Sequence, residues 1–306
     1  VARGPPHTHS QHTSTMSATP NFPATVRTRD GLELVTQHWP VATGLAPAGI
    51  AVIVHGLGEH CLRYAHVAAY LNQQGWAAVS FDHRGHGRSP GKRGGLNADD
   101  DLLHDLAAVV DAARAAYPGQ RLLVVGHSLG GAIAGRFVSA LATPKEAAAW
   151  SRPVDALVLS SPALDVPISA IQKGLLATVG KLTPDVPVGN GLKPEWVCNN
   201  PATVKAYVAD PLVHDRITGR LTLFIINAGE NVRARAAQWT VPTLIMWGGQ
   251  DRCVKPEGSA AFAATAPKSL VSSRPFPTLS HEIFNEVEQG DVLTTMGDWL
   301  SRVFGG

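Results

Sequence analysis

Arg121–Leu141 reads RLLVVGHSLGGAIAGRFVSAL. Its first five residues are an apolar run of buried-strand length, and Leu129–Leu141 carries helical spacing. Between them Gly126-His127-Ser128-Leu129-Gly130 fits G-x-S-x-G in the context that gives the pattern meaning, a strand before it and a helix after it. A serine at such a turn is held at strained dihedrals, and side chains two positions to either side would clash. Glycine at 126 and 130 keeps the turn open. The Ser128 hydroxyl then projects above the sheet, beside a helix N-terminus that favours negative charge. A Gly-rich turn without chemistry would carry the same letters, so the flanking strand and helix are what mark Ser128 as a nucleophile.

The same alternation extends to both sides. Ala24–Trp39 alternates around Asp30-Gly31 as a hairpin would. Ile50–Val54, Trp76–Phe81, Ala156–Leu159 and Thr243–Trp247 read as strands. Cys61–Gln74, closed by Gly75, and Ala98–Tyr117, closed by Pro118-Gly119, read as helices. Strands alternating with helices predict an α/β fold with a mostly parallel sheet of about eight strands, covered on both faces. The alternation breaks between about 163 and 238, a stretch with six prolines (Pro167, Pro184, Pro187, Pro194, Pro201, Pro211) and helical patches. Ile168, Ile171, Leu175, Leu176, Val179 and Leu182 mark one helical face there. This stretch is expected to be a helical cap inserted over one end of the sheet. Residues 1–20 are polar, include His7, His9 and His12, and read as a disordered tail or an expression leader ahead of Met16. The rest, 21–306, is expected to be one domain.

Composition excludes several function classes. Of 306 residues, 44% are hydrophobic and 16% charged, which suits a large core and not a disordered chain. The net charge is +2 and no block of like charges occurs, so nothing draws in nucleic acid. The three cysteines, Cys61, Cys198 and Cys253, are odd in number and widely spaced, against a disulfide framework or a zinc ribbon. No apolar run approaches the roughly 18 residues of a membrane span, and no basic-then-apolar leader is visible. A cytoplasmic location is expected.

A serine hydroxyl is a weak nucleophile near neutral pH and needs a base and an orienting acid. After a strand-borne G-x-S-x-G the expected chain order is serine, acid, histidine. Thr243–Trp247 runs into Gly248-Gly249-Gln250-Asp251, which puts Asp251 at a strand's C-terminal end. Leu270–Phe276 runs through Pro277-Thr278-Leu279-Ser280 to His281. Asp251 is therefore the expected acid and His281 the expected base; Asp210 and Asp215 compete for the acid role but lie in the cap stretch. The oxyanion requires two backbone donors: Leu129, next to the nucleophile, and Leu57, in the His55-Gly56-Leu57-Gly58-Glu59-His60 turn after a buried strand.

With these residues in place, the sequence resembles the monoacylglycerol lipase (lysophospholipase-like) family of α/β-hydrolases over roughly Thr25–Leu300. The segments that carry the likeness are HGLGEHCLRY (55–64), FDHRGHGRSPGKRG (81–94), GHSLGG (126–131), SSPAL (160–164), DPLVHDRIT (210–218), GGQDRCVKPEGS (248–259) and SHEIFNE (280–286). The resemblance implies the same triad, Ser128, Asp251 and His281, and the same oxyanion donors, Leu57 and Leu129. It departs from the family in having Leu129 where Met is frequent, which changes little for a backbone donor.

The resulting expectation is a serine ester hydrolase without metal or other cofactor. Its partner is a small-molecule ester with an apolar acyl chain, monoacylglycerols first, bound under the cap. The cap face is read as packing over the pocket, with contact to a membrane as its alternative use. A broad carboxylesterase for short, aromatic or synthetic esters is the alternative, a peptidase or carbon–carbon hydrolase a more distant one, and a non-catalytic ligand-binding member of the fold the remotest. His83-x-x-His86 has metal-ligand types but no third ligand at sensible spacing, and is read as hydrogen-bonded floor of the site. Cys253, two residues past Asp251, is read as a small packed residue near the site, with sensitivity to thiol reagents as the alternative; Cys61 has similar standing.

Overall fold

The computed structural model of the chain describes residues 21–142, 148–168 and 183–305. The expected N-terminal tail and the cap-face residues Ile171–Leu182 lie outside the described residues.

Strands β1 (Thr25–Arg27) and β2 (Glu33–Trp39) form the expected hairpin, with Gly31 at φ 88 in the turn. They are followed by β3 (Gly49–Val54), helix α1 (Ala65–Gln73), β4 (Trp76–Phe81), α2 (Asp101–Ala116), β5 (Arg121–His127), α3 (Leu129–Ser139) and β6 (Ala156–Ser160). Next come β7 (Val188–Gly189), α4 (Pro201–Ala209), β8 (Arg216–Ile217) and α5 (Gly219–Ala234). The chain closes with β9 (Thr243–Gly248), α6 (Pro256–Thr265), β10 (Val271–Phe276) and α7 (Gln289–Phe304). Among the described residues, eight strands form one sheet in the order β1-β2-β4-β3-β5-β6-β9-β10. From β4 to β10 every pairing is parallel; β2 runs antiparallel to both neighbours. This is the doubly covered α/β sheet expected from the alternation.

The apolar runs are continuous because both faces of the sheet are buried. Along β3, Ile50, Val52 and Val54 join the core beneath α2, α3, α5 and α6, while Ala51 and Ile53 join the core beneath α1 and α7. Along β5, Leu122 and Val124 face the first core, Leu123 and Val125 the second. Parallel order puts the C-terminal ends of β3, β5, β9 and β10 along one rim, where the loops carrying Leu57, Ser128, Asp251 and His281 emerge.

The stretch expected to be cap divides in two. Helix α5 is a layer helix: Thr218 caps it by accepting from the Leu221 N–H, and it lies on α3, with Val232 against Gly135. The carbonyl of Leu164 sits so close to Gly229 that a Cβ there would meet it at 2.5 Å. Ahead of α5, α4 and the two-stranded antiparallel ribbon β7–β8 hold the loops over the rim. Two-residue strands with exposed or half-exposed side chains have no apolar period, so the sequence carries no signal for them. Among the described residues, no helix is long and apolar enough to cross a membrane.

Candidate active site

Ser128 sits between β5 and α3 at φ 53, ψ −117, a conformation that L-residues rarely adopt. Its surroundings hold it there. The Ser128 N–H donates to the Ser160 carbonyl at 3.0 Å, and its carbonyl accepts from Ala132 and Ala163. A Cβ on Gly126 would meet the Gly130 carbonyl at 2.5 Å, and one on Gly130 would collide with the Val54 carbonyl. Both glycines are thus required by backbone contacts, as the motif predicts.

The loops after β9 and β10 are tied to each other. Gly249 N–H donates to Phe276 and Gln250 N–H to Leu279, and a Cβ on Gly248 would strike the Ser280 carbonyl. This close passage brings Asp251 to His281. Asp251 Oδ1 accepts from the Cys253 and Val254 N–H groups at 2.8 and 3.0 Å, which leaves Oδ2 to His281 Nδ1 at 2.6 Å. His281 Nε2 lies 2.8 Å from Ser128 Oγ. All three residues are nearly buried. Burial opposes the charged imidazole, but the Asp251 charge and hydrogen bond outweigh it, so the His281 pKa is raised above its ordinary value. The rival acids stand elsewhere: Asp210 accepts from His60 Nε2 at 2.8 Å, and the exposed Asp215 pairs with Arg216.

The loop carrying Leu57 is anchored by charges that the sequence reading passed over. Glu59 Oε1 accepts from the Gly56 N–H and the Tyr64 hydroxyl, each at 2.6 Å. Glu59 Oε2 meets Arg63 Nη1 at 2.5 Å. The same guanidinium forks onto Glu282, next to His281, at 2.6 and 2.7 Å and stacks on Tyr207 of α4. Burial would raise the Glu59 carboxyl; Arg63 reverses this and holds it at about 2. Arg63 thus joins the Leu57 loop, the His281 loop and the cap. The signal was Glu59 and Arg63 set four apart, the spacing of a helical ion pair. Replacing Arg63 with Met should cost about 3–5 kcal/mol, because two buried carboxylates lose their partner. Thermal unfolding checks this, and kcat should fall with stability, about 10-fold or more, as the two loops separate. Arg63→Lys should recover part of both.

Five histidines pack around this loop. His55 Nε2 accepts from the His83 N–H, His83 Nε2 donates to the His55 carbonyl, and the His55 ring lies 4.0 Å from the His83 ring. The cap brings His214 to 4.6 Å from His86, the candidate third ligand that the spacing lacked. Their ring nitrogens do not converge, however: among the described residues, Asp251, Cys253 and His281 form the one group whose ligand atoms lie within 4.8 Å of one another. Burial is the main cause that lowers these imidazoles, to about 4 for His55 and His214 and about 3 for His127, whose ring lies 4.8 Å from that of His281. They are neutral in the fold and take up protons near pH 6.5 when unfolded. Their stabilisation is therefore present above pH 6.5 and is lost as pH falls toward 4. For the fully buried His55 and His127 this is on the order of 3 kcal/mol each. Thermal unfolding from pH 8 to pH 4 should show a steep fall beginning near 6.5; a flat profile would contradict it.

Ser128 opens into a cavity of about 490 Å³. Leu57 and Leu129 line it, as do Val166, Ile168, Leu192, Trp196, Ile217 and Ile225. Among its described lining residues Arg252 is the one ionic side chain and none is a carboxylate. Trp196, stacked under Lys193 and Arg252, stands at the cap side. The three thiols are buried. Burial pushes Cys198 up to about 12, and burial together with Asp82 and Asp251 pushes Cys61 and Cys253 well above the usual thiol range. Cys253 does border the cavity, but as a thiol and not a thiolate it is a poor nucleophile toward alkylating reagents.

Comparison with known proteins gives a consistent result. A family profile described as serine aminopeptidase, S33 (Hydrolase_4) matches residues 46–288. A protein named monoacylglycerol lipase from Mycolicibacterium smegmatis is 34% identical over 273 residues, covering 88% of this chain and 93% of the relative. The crystal structure of Paleococcus ferrophilus monoacylglycerol lipase superposes with TM-score 0.77 at 31% identity, covering 89% of this chain and 99% of the other. A soluble variant of monoglyceride lipase from Saccharomyces cerevisiae, in complex with a substrate analog, superposes with TM-score 0.78 at 21% identity, covering 96% and 99%, a likeness of fold.

Proposed function

Because the chain belongs to the family described as serine aminopeptidase, S33, among the α/β-hydrolases, we propose that it hydrolyses carboxylic esters with a single acyl chain, monoacylglycerols foremost, through an acyl-enzyme on Ser128. The observation that carries the reading is the relay Asp251–His281–Ser128, at 2.6 and 2.8 Å, at the base of an apolar cavity. His281 takes the Ser128 proton as the hydroxyl attacks the ester carbonyl. Asp251 fixes the imidazole tautomer and stabilises its charged form. The Leu57 and Leu129 N–H groups hold the oxyanion. The alcohol leaves with the proton from His281, which then activates water to release the fatty acid.

The family's description names an aminopeptidase, and the cavity argues against that activity here. An aminopeptidase must pair the substrate's terminal ammonium, and leaving such a charge unpaired in an apolar cavity is costly. The described lining residues offer no carboxylate and one cation, Arg252. An acyl chain, by contrast, gains roughly 0.8 kcal/mol for each methylene buried against Val166, Ile168, Ile217 and Ile225. Ester selectivity should therefore rise with chain length. The test is fatty-acid release from a monoacylglycerol series against short-chain and aromatic esters and an aminoacyl amide. The expected kcat/KM is highest for medium or long chains and at least about 100-fold above the acetyl ester. A profile that peaks at short or aromatic esters would keep the relay and make this a general carboxylesterase.

A further inference from the structure

Asp251 and His281 have a third ligating side chain beside them that the hydrolytic relay does not use. Cys253 is nearly buried, and its sulfur, a carboxylate oxygen of Asp251 and a ring nitrogen of His281 lie within 4.8 Å of one another. Carboxylate, imidazole and thiol form a donor set suited to a borderline-soft divalent cation such as Zn²⁺. Bonds of about 2.0 Å to nitrogen and oxygen and 2.3 Å to sulfur require Asp251 Oδ2 and His281 Nδ1, now 2.6 Å apart, to part to roughly 3.3 Å, and the Cys253 sulfur to approach to under roughly 4 Å of each. The outer shell is built: Asp251 Oδ1 is fixed by the Cys253 and Val254 N–H groups, leaving one carboxylate oxygen for a cation. Cys253 and Ser128 both border the cavity, which supplies an entry path and room for a fourth, solvent ligand.

We infer that Asp251, Cys253 and His281 form an inhibitory binding site for Zn²⁺ or a cation of like softness. This rests on the proposed catalytic role of His281 only for its effect on turnover, not for binding. The ring nitrogen that faces Asp251 is Nδ1. Coordination there displaces its proton to Nε2, and the Cys253 thiol proton passes to solvent. The imidazole stays neutral, but Nε2 now carries a proton and cannot accept the one on Ser128. The metal thus removes the base without touching the nucleophile.

Binding is read by titrating full-length protein carrying Ser128→Ala with Co²⁺, whose thiolate bond gives a near-ultraviolet charge-transfer band. Any cobalt held by the imidazoles of His7, His9 and His12 would not produce that band, which requires a thiolate. One equivalent should develop it, and Cys253→Ala and Cys253→Val should both abolish it; two replacements of different volume guard against a packing defect in either. In otherwise unaltered protein, saturating Zn²⁺ should lower hydrolysis more than 10-fold, reversibly with chelator, while the residual hydrolysis of the Cys253 variants changes less than twofold. No thiolate band, or Zn²⁺ inhibition of equal depth in the Cys253 variants, overturns the site. Hydrolysis surviving Ser128→Ala would instead overturn the catalytic reading, and it leaves the cobalt spectrum untouched.

Discussion

Ser128→Ala should lower kcat on any ester by on the order of 10⁶, equivalent to about 8 kcal/mol of transition-state stabilisation, with KM nearly unchanged. The size follows from what remains. Leu57 and Leu129 still offer their N–H groups and the cavity still binds an acyl chain, but no covalent intermediate forms and His281 has only water to activate. The fold should be indifferent. The alanine Cβ occupies the space of the serine Cβ, the φ of 53 is equally strained for either residue, and the lost contact is the one from Oγ to His281 Nε2 at 2.8 Å. Ser128 lines the cavity, so the space its Oγ leaves can admit a water to that nitrogen, and unfolding should shift by less than about 1 kcal/mol. Labelling by a fluorophosphonate should vanish with the hydroxyl. Hydrolysis within 100-fold of the unsubstituted enzyme would remove Ser128 from the mechanism and require a nucleophile elsewhere.

The candidate relay was legible because its determinants are local. Gly126 and Gly130 announce the turn, and Asp251 and His281 each follow a strand whose apolar run is plain, so parallel order alone brings them to one rim. The sheet order was less so. β4 lies between β2 and β3, a placement set by crossover handedness and core packing, with no mark in the sequence. Least legible was the framework around the site. Arg63 and Glu282 are 219 residues apart and meet only because the Leu57 and His281 loops emerge side by side. Glu286 is similar: fully buried, it accepts from Ser280 N–H on the base loop and Asn199 N–H in the cap, and read in sequence it is one more acidic residue before a helix. Helix α5 was absorbed into the expected cap because its neighbours are prolines and polar turns. Its place on α3 depends on Gly135 and Gly229, whose role is visible only against Val232 and Leu164.

Asp251→Asn separates orientation from charge. The carboxylate accepts two backbone N–H groups through Oδ1 and the imidazole N–H through Oδ2, so a carboxamide of the same shape must present an NH₂ to one side. The Oδ1 side offers only donors. The amide therefore keeps its oxygen there and turns its NH₂ toward His281 Nδ1, which must become an acceptor. The ring proton then sits on Nε2, aimed at Ser128, in the tautomer that cannot act as a base. The expected loss in kcat at neutral pH is about 10⁴-fold, with the fold and KM preserved. The pH profile supplies an independent sign. In the unsubstituted enzyme His281 must be neutral to act, and Asp251 raises its pKa, so kcat/KM should fall as pH drops below a value above 6.5. Without the carboxylate's charge, burial dominates and favours the neutral ring, so the same limb should move to lower pH even as its plateau falls. A limb that stays in place in the variant would mean that Asp251 does not set the proton affinity of His281 and that another group orients the base, Glu282 and Glu59 being the other carboxylates whose charge raises it.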